Sequence, residues 1–305
     1  MVARFALRAL SALFILLALI FFVALVMEVG RVGDLRGIPS AIPTALTFTT
    51  DYLANLVRGD LGSVSARRGI ESGTPVTTEL ARALPRSLGL LATALLLSAL
   101  IGLPLGIGAA VRRKTGFSGA LVFASVLGIS TPSYLAAMLL IWLCVWLYDA
   151  TGFDAIPIHG FGWDEHLILP MLVLSARPAA NLMRLGYNAL ADILDADYVR
   201  TARSKGLRPG IVLFRHVLRN AGVPLLTTLA VSLRFSLAIL PIVEYIFNWS
   251  GVGQTLLDAI QSQDTTLVVG MVLPLALLFV SVNLLLEVLY LLIDPRLRAQ
   301  EAGVA

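Results

Sequence analysis

The chain has 305 residues, 58% hydrophobic and only 14% charged, with a formal net charge of +4. A soluble domain carries about 25% charged residues, so this composition excludes an ordinary soluble enzyme, and no nucleic-acid partner is expected. The single cysteine, Cys144, excludes an internal disulfide and a cysteine-based metal site.

The apolar residues come in long blocks. Residues 9–27, 88–111, 115–148 and 265–286 carry no charge. Runs of about 18 or more apolar residues predict membrane-crossing helices, because a bilayer core needs about 20 residues of helix. Six spans follow in chain order. The first covers 7–28, behind Arg4 and Arg8; its length and the lack of a small-residue cleavage pattern mark a retained anchor. A polar stretch over 30–86 reads as an outer loop, too polar for the membrane, with an amphipathic helix ending at Gly59. The second span covers 87–111 and the third lies within 118–147. The fourth, 167–190, is interrupted by Arg177 and Arg184. The fifth, 222–247, is interrupted by Arg234 and ends near Glu244. The sixth covers 267–292. Gly102, Pro104, Gly106, Gly108, Gly128, Pro132 and Pro178 fall in or beside spans, where they serve close packing or bending.

Charge orients the spans. Lys and Arg concentrate on cytoplasmic segments. Arg4 and Arg8, the Arg112-Arg113-Lys114 turn, the 184–219 stretch and Arg296 with Arg298 are read as inside. Residues 149–166 and 248–266 carry acids and no Lys or Arg, and are read as outside. Six spans with both termini cytoplasmic satisfy every assignment, with the mixed-charge loop 30–86 as a long loop that obeys the rule weakly. The expected divisions are an anchor helix over 1–29, an extracytoplasmic loop over 30–86, a five-span core over 87–293 and a cytoplasmic tail over 294–305.

The polar interruption 192–224 reads DILDADYVRTARSKGLRPGIVLFRHVLRNAGVP. Asp195 or Asp197 is expected to cap a short helix beginning near Tyr198. Gly206 is expected to end it in a left-handed conformation. Pro209-Gly210 is expected to form a bend, with a second helix over 211–220. Read by charge alone, the segment is either a docking element or an interfacial helix on anionic lipid.

This stretch resembles the conserved cytoplasmic loop of binding-protein-dependent ABC importer permeases. It is most similar to the B-type subunit of the dipeptide/oligopeptide/nickel family. NLVRGDLGS near 55–63, LPRSLGLLATALLLSALIGLPLGIGAAVRR at 84–113, PSYLAAMLLIWL at 132–143, EYIFNWSGVGQTLLDAI at 244–260 and DPRLR at 294–298 resemble the family in the same order. Arg200-Thr201-Ala202 stands where many importers have Glu-Ala-Ala, and Leu218-Arg219 where they have Leu-Pro. The resemblance implies an all-α integral membrane protein with the six-span transmembrane domain of a type I ABC importer. It implies a bacterial cytoplasmic-membrane location and transport of short peptides or, in the same family, nickel or another small solute. The implied partners are a second homologous permease subunit, two cytoplasmic ATPase subunits and an extracytoplasmic substrate-binding protein, besides membrane lipid. ATP and Mg2+ would sit on the ATPase subunits, with no cofactor in this chain. The implied ATPase-coupling residues are Tyr198, Arg200, Thr201, Ala202, Arg203, Lys205, Gly206, Leu207, Arg215 and His216. Ala202 and Gly206 would give close approach, and the bases ion pairs at the rim.

Intramembrane charges usually face a bundle interior or a pathway. Arg177 and Asn181 share a helix face, four residues apart. With Arg234 and Glu244, they either line the translocation path or make structural contacts. No phosphate-binding GxxxxGK[ST], HExxH or GxSxG pattern occurs, so no catalytic residue is expected. His159, His166 and the nearby Asp164 or Glu165 read as surface residues and not a metal site. Two other classes compete. A stand-alone secondary transporter would show a repeated architecture, and no repeat is visible. An intramembrane enzyme would need a nucleophile and base within the spans, and no histidine lies in any of them.

Overall fold

The computed structural model describes residues 2–33, 38–65, 72–152 and 156–293. In chain order its helices are α1 (Val2–Val32), α2 (Ile38–Val57), α3 (Val76–Val111), α4 (Gly116–Ser130), α5 (Ser133–Thr151), α6 (Ile168–Asp195), α7 (Asp197–Ser204), α8 (Pro209–Ile211), α9 (Leu218–Ile246), α10 (Val252–Gln261) and α11 (Thr265–Ile293). Six helical stretches among the described residues are long and apolar enough to cross a membrane: Phe14–Arg31, Val76–Val111, Ser133–Thr151, Glu165–Asp195, Pro209–Ile246 and Thr265–Leu285. The expected tail over 294–305 lies outside the described residues, as do Arg67, Arg68 and Asp154.

The chain forms two compact units. The first gathers Met1–Ser87 with Ser250–Asn283. Its core joins Met27, Val64, Val76, Ala83, Val252, Ala259, Leu267, Val268 and Met271. α2 packs along α1, with Tyr52 beside Ile20 and Val269. Burial, with Asp60 adding, pushes the Tyr52 phenol up to about 12. The start of α11 is pinned by Asp264, a buried residue. Its Oδ1 accepts from the Leu267 amide (3.1 Å), and its Oδ2 accepts from the Ser65 amide (2.7 Å). Arg31 donates to the Gln263 carbonyl (2.8 Å) and the Thr265 hydroxyl (3.2 Å), closing the same corner. Losing a helix cap of this kind costs about 1–2 kcal/mol. Asp264→Ala is therefore expected to lower the thermal midpoint of the detergent-purified protein, and an unchanged midpoint would deny Asp264 this role.

The second unit holds Leu88–Trp249 and Leu284–Ala305. α6 is its centre, packing against α4, α5 and above all α9. α3 crosses α6 through small residues. Ser98 Oγ donates to the Ser175 carbonyl (3.1 Å). A Cβ on Gly102 would lie 2.5 Å from the Ala179 carbonyl oxygen, and one on Gly106 would lie 2.8 Å from that of Met183. Ser98, Gly102 and Gly106 recur every four residues and so form one stripe. Backbone against backbone is the packing that membrane helices gain from small residues. Gly102 and Gly106 thus serve packing. Elsewhere in the unit, Phe161, Trp163 and Trp249 meet edge to face, with ring centroids 4.8–5.7 Å apart. The large apolar side chains Leu96, Leu100, Trp142 and Trp146 are exposed, the reverse of a soluble core.

Four sequence expectations need correction. The region around the third span is not one helix: the chain breaks between α4 and α5 at Thr131-Pro132, both extended (ψ 120° and 137°). Proline lacks an amide hydrogen and drives the preceding residue out of the helical region. The stretch 30–86 is not simply a loop, since it contains α2 and the first turns of α3, which begins at Val76. Neither Asp195 nor Asp197 caps α7. The N-cap is Ala196, with no side-chain bond, while Asp197 lies in the first turn, where its charge suits the helix dipole. Finally, Pro209-Gly210 does not form a bend before a separate second helix. Pro209 opens a helix that runs without a break from 209 to 246.

Candidate functional site: a seated basic helix

α7 is eight residues long, too short to hold its shape alone in water. It is held by burial on one side. Val199 (0% exposed) and Ala202 (5%) join Ala110, Leu190, Leu194, Val212, Val217 and Ala221 in an apolar cluster. Three residues apart, Val199 and Ala202 share one face. The remaining faces are exposed: Tyr198, Arg200, Thr201, Arg203, Lys205 and Leu207 all reach solvent. Gly206 ends the turn at φ +74°, with open space around its Cα. Only the backbone argument favours glycine here, since L side chains strain in this region.

Ala202 therefore faces inward, and the expected close approach to a partner at Ala202 is not available on the surface. The rim pairs are local and weak. Arg200 lies 3.6 Å from Asp197, with side chains 70% and 97% exposed, a geometry worth little. Tyr198 accepts a bond from Asn220 Nδ2 (2.9 Å), tying α7 to the start of α9. Arg215 is exposed and His216 half-buried. Both fall in a π-helical segment over Val212–Val217, a one-turn irregularity often found at working sites.

Sequence reasoning missed the brace of this element. Arg113 donates to both carboxylate oxygens of Asp195 (2.6 and 2.5 Å) and to the Ala191 carbonyl (3.0 Å). Its motif, Arg112-Arg113-Lys114, signalled only topology. Between this turn and α7 opens a cleft of about 640 Å³, with an apolar floor of Leu194, Val212 and Leu213 and a rim that includes Arg112, Lys114 and Arg203. Cations over an apolar floor suit an acidic protruding element.

The proposed path residues lie on α6 (Arg177, Asn181) and α9 (Arg234, Glu244). The Arg177 guanidinium sits 5.0 Å over the Phe235 ring, a cation–π contact. Its Nε is buried without a hydrogen-bond partner, as is that of Arg234. Arg234 precedes Phe235 by one residue and so projects about 100° around α9. Asn181 is half-buried on α6. Glu244 is fully buried, and its carbonyl accepts from the Trp249 amide (2.8 Å). Outside the spans, His166 Nδ1 lies 2.7 Å from Asp164 Oδ1. The His166 side chain first, and its backbone amide second, hold the Asp164 carboxyl below its ordinary value of 3.8.

The described residues thus form a multi-helix membrane protein that presents a short basic helix seated on an apolar cluster. The family comparison agrees. A model described as the binding-protein-dependent transport system inner membrane component matches residues 102–299, and the chain belongs to that family. It is 36% identical over 274 residues to the di/tripeptide transport system permease protein DppB of Pseudomonas aeruginosa, covering 82% of this chain and 80% of that protein. It is 32% identical over 251 residues to the oligopeptide transport system permease protein AppB of Bacillus subtilis, covering 81% and 78%. Among solved structures, the MetNI methionine ABC transporter in an inward-facing conformation shares the fold. Its TM-score is 0.56 at 17% identity, over 71% of this chain and 96% of that one. The chain is a multi-pass permease subunit of an ATP-driven importer.

Proposed function

We propose that this permease moves short peptides into the cytoplasm by alternating access, paired with a second permease of the same kind. The observation that carries the substrate class is the similarity, across about four-fifths of the chain, to permeases named for di/tripeptides and oligopeptides. A relative 35% identical over 248 residues, from Escherichia coli, is named for glutathione, itself a tripeptide. Both chain ends lie in the cytoplasm, a reading supported by the even number of spans and the basic inner segments. Two ATPase subunits carry ATP and Mg2+, and one of them docks on α7 and the cleft beside it. An extracytoplasmic binding protein delivers the peptide.

The test is reconstitution. The chain is purified with its partner subunits and placed in liposomes with a labelled dipeptide. Uptake is expected only with ATP, the ATPase subunits and the binding protein together. Uptake by the chain alone would sink the reading, and so would a complete importer that hydrolyses ATP but takes up no peptide.

Arg177 and Arg234 line the path in this proposal, each keeping a buried Nε ready for a passing acceptor. Arg177→Gln is expected to lower uptake about tenfold or more, the scale of one lost charged hydrogen bond, while the importer still assembles. Normal assembly together with normal uptake would reduce Arg177 to a structural contact with Phe235.

A further inference from the structure

α6 carries two unlike faces. Ser175, Ala179, Leu182, Gly186 and Leu190 recur every three or four residues, and all are buried. Arg177, Asn181, Arg184 and Asn188 fall on the opposite side, within about 60° of one another at about 100° per residue. Arg177, Asn181 and Arg184 are half-buried, and Asn188 is exposed. The first acids along α6 are Asp192 and Asp195, the nearer one about 12 Å of helix past Arg184. Asp195 is already held by Arg113.

This polar face lies at membrane depth. A crossing takes about 20 residues. Counted from either end of α6, Ile168 or Asp195, such a length includes Arg177, Asn181 and Arg184. Neither arginine has an acidic partner among the described residues, and the Nε of each is buried without a hydrogen-bond partner. The Arg177 guanidinium sits 5.0 Å over the Phe235 ring. That contact steadies the charge without supplying an oxygen to accept from its N–H groups. Two charges with no counter-charge at this depth do not face lipid; they face a wet path.

We propose that this face of α6 is a ladder for the free carboxylate of the passing peptide, with Arg177 and Arg184 as charged rungs and Asn181 and Asn188 as neutral ones. Guanidinium groups bind carboxylates through paired N–H bonds, and each asparagine amide adds two donors. The rungs are three or four residues apart, about 4.5–6 Å of rise, so the carboxylate meets the next donor before it is clear of the last. Several weak sites in a row let an ion move on, where one strong site holds it. The ladder selects for a free C-terminus and against an amidated one. The proposal rests on the peptide reading above; it extends the path to Arg184 and Asn188 and names the group they recognise.

The test is thiol labelling of the permease–ATPase complex in proteoliposomes, without binding protein or ATP. Cys144, the only cysteine of the chain, is removed as Cys144→Ser, and Asn181→Cys is added. Labelling of this chain by a negatively charged and by a positively charged methanethiosulfonate is followed by mass spectrometry. The anionic reagent is expected to react about tenfold faster, the lower end of what a cleft of one charge sign gives. Arg184→Gln is expected to remove most of that preference and Arg184→Lys to keep it. Alanylalanine is expected to protect the thiol, and alanylalanine amide not to. Co-elution of each variant with the partner subunits on gel filtration establishes folding. No labelling by either reagent, equal or cation-favouring rates, a preference unchanged in Arg184→Gln, or equal protection by acid and amide would each overturn the ladder. Absence of protection by alanylalanine would overturn it too if the reconstituted importer takes up that peptide. If the importer takes up no peptide, the transport reading falls, and an anion preference that depends on Arg184 still upholds a carboxylate path.

Discussion

An importer carrying Val199→Asp is expected to lose more than about nine-tenths of its ATP-driven uptake, while the permease still inserts. Val199 is wholly buried and sits at the centre of the apolar seat under α7. A carboxylate there has no partner, and burying an unpaired charge costs several kcal/mol. The lost valine burial adds about 1.5–3 kcal/mol. An eight-residue helix has no means of surviving off its seat, so α7 detaches and the basic surface loses its shape. The spans are untouched, so membrane insertion and pairing with the partner permease persist. The measurements are uptake in proteoliposomes and retention of the ATPase subunits through affinity purification. Val199→Ile, apolar and larger by one methylene, is expected to keep most activity. Wild-type uptake with Val199→Asp would show that the seat of α7 is dispensable.

Gly102→Leu is expected to be more damaging still, by a different route. Its Cβ alone would lie 2.5 Å from the Ala179 carbonyl oxygen and 2.8 Å from Leu182 Cβ. The opposing wall is partly backbone, which cannot rotate aside like a side-chain tip. Overpacking in a core typically costs 1–3 kcal/mol, and here α3 and α6 must separate along their length. Loss of folded protein is the expected outcome, read as aggregation on gel filtration and as protease sensitivity in membranes. Gly108→Ala, on the same helix with nothing within 4 Å of its Cβ position, is expected to be tolerated. If both variants behave alike, the close crossing is not what Gly102 is for.

Much of the membrane architecture was legible because a bilayer demands one signal above others, length of uncharged sequence. The spans with long uncharged runs, within α1, α3 and α11, stood out on that signal. Thr131-Pro132 was visible as a dipeptide, yet it lies within an uncharged block and hydropathy passes over it. Ala202 shows the limit of reading a loop by composition. Surrounded by Thr201, Arg203 and Lys205, it looks like part of an outward surface, and only the three-residue spacing to Val199 hints that it turns in. The Arg113–Asp195 brace joins residues 82 apart, and no local pattern could pair them. Sequence alone offers Asp195 or Asp197 as a cap, a common local use of an aspartate.

The absence of any loop between Pro209 and Ile246 has a mechanical consequence. Thirty-eight residues of continuous helix make a rod about 57 Å long, nearly twice the hydrocarbon thickness. Its foot lies beside the basic helix, and its far end leads to buried Trp249 of the aromatic trio. A rod has no slack to take up, so a push at the foot arrives at the head in the same stroke. Its soft joints are the π turn near the foot, where an extra residue is already wound in, and Pro224 and Pro241, each of which removes a bond from the ladder. Force entering below that turn meets a spring before it meets the shaft.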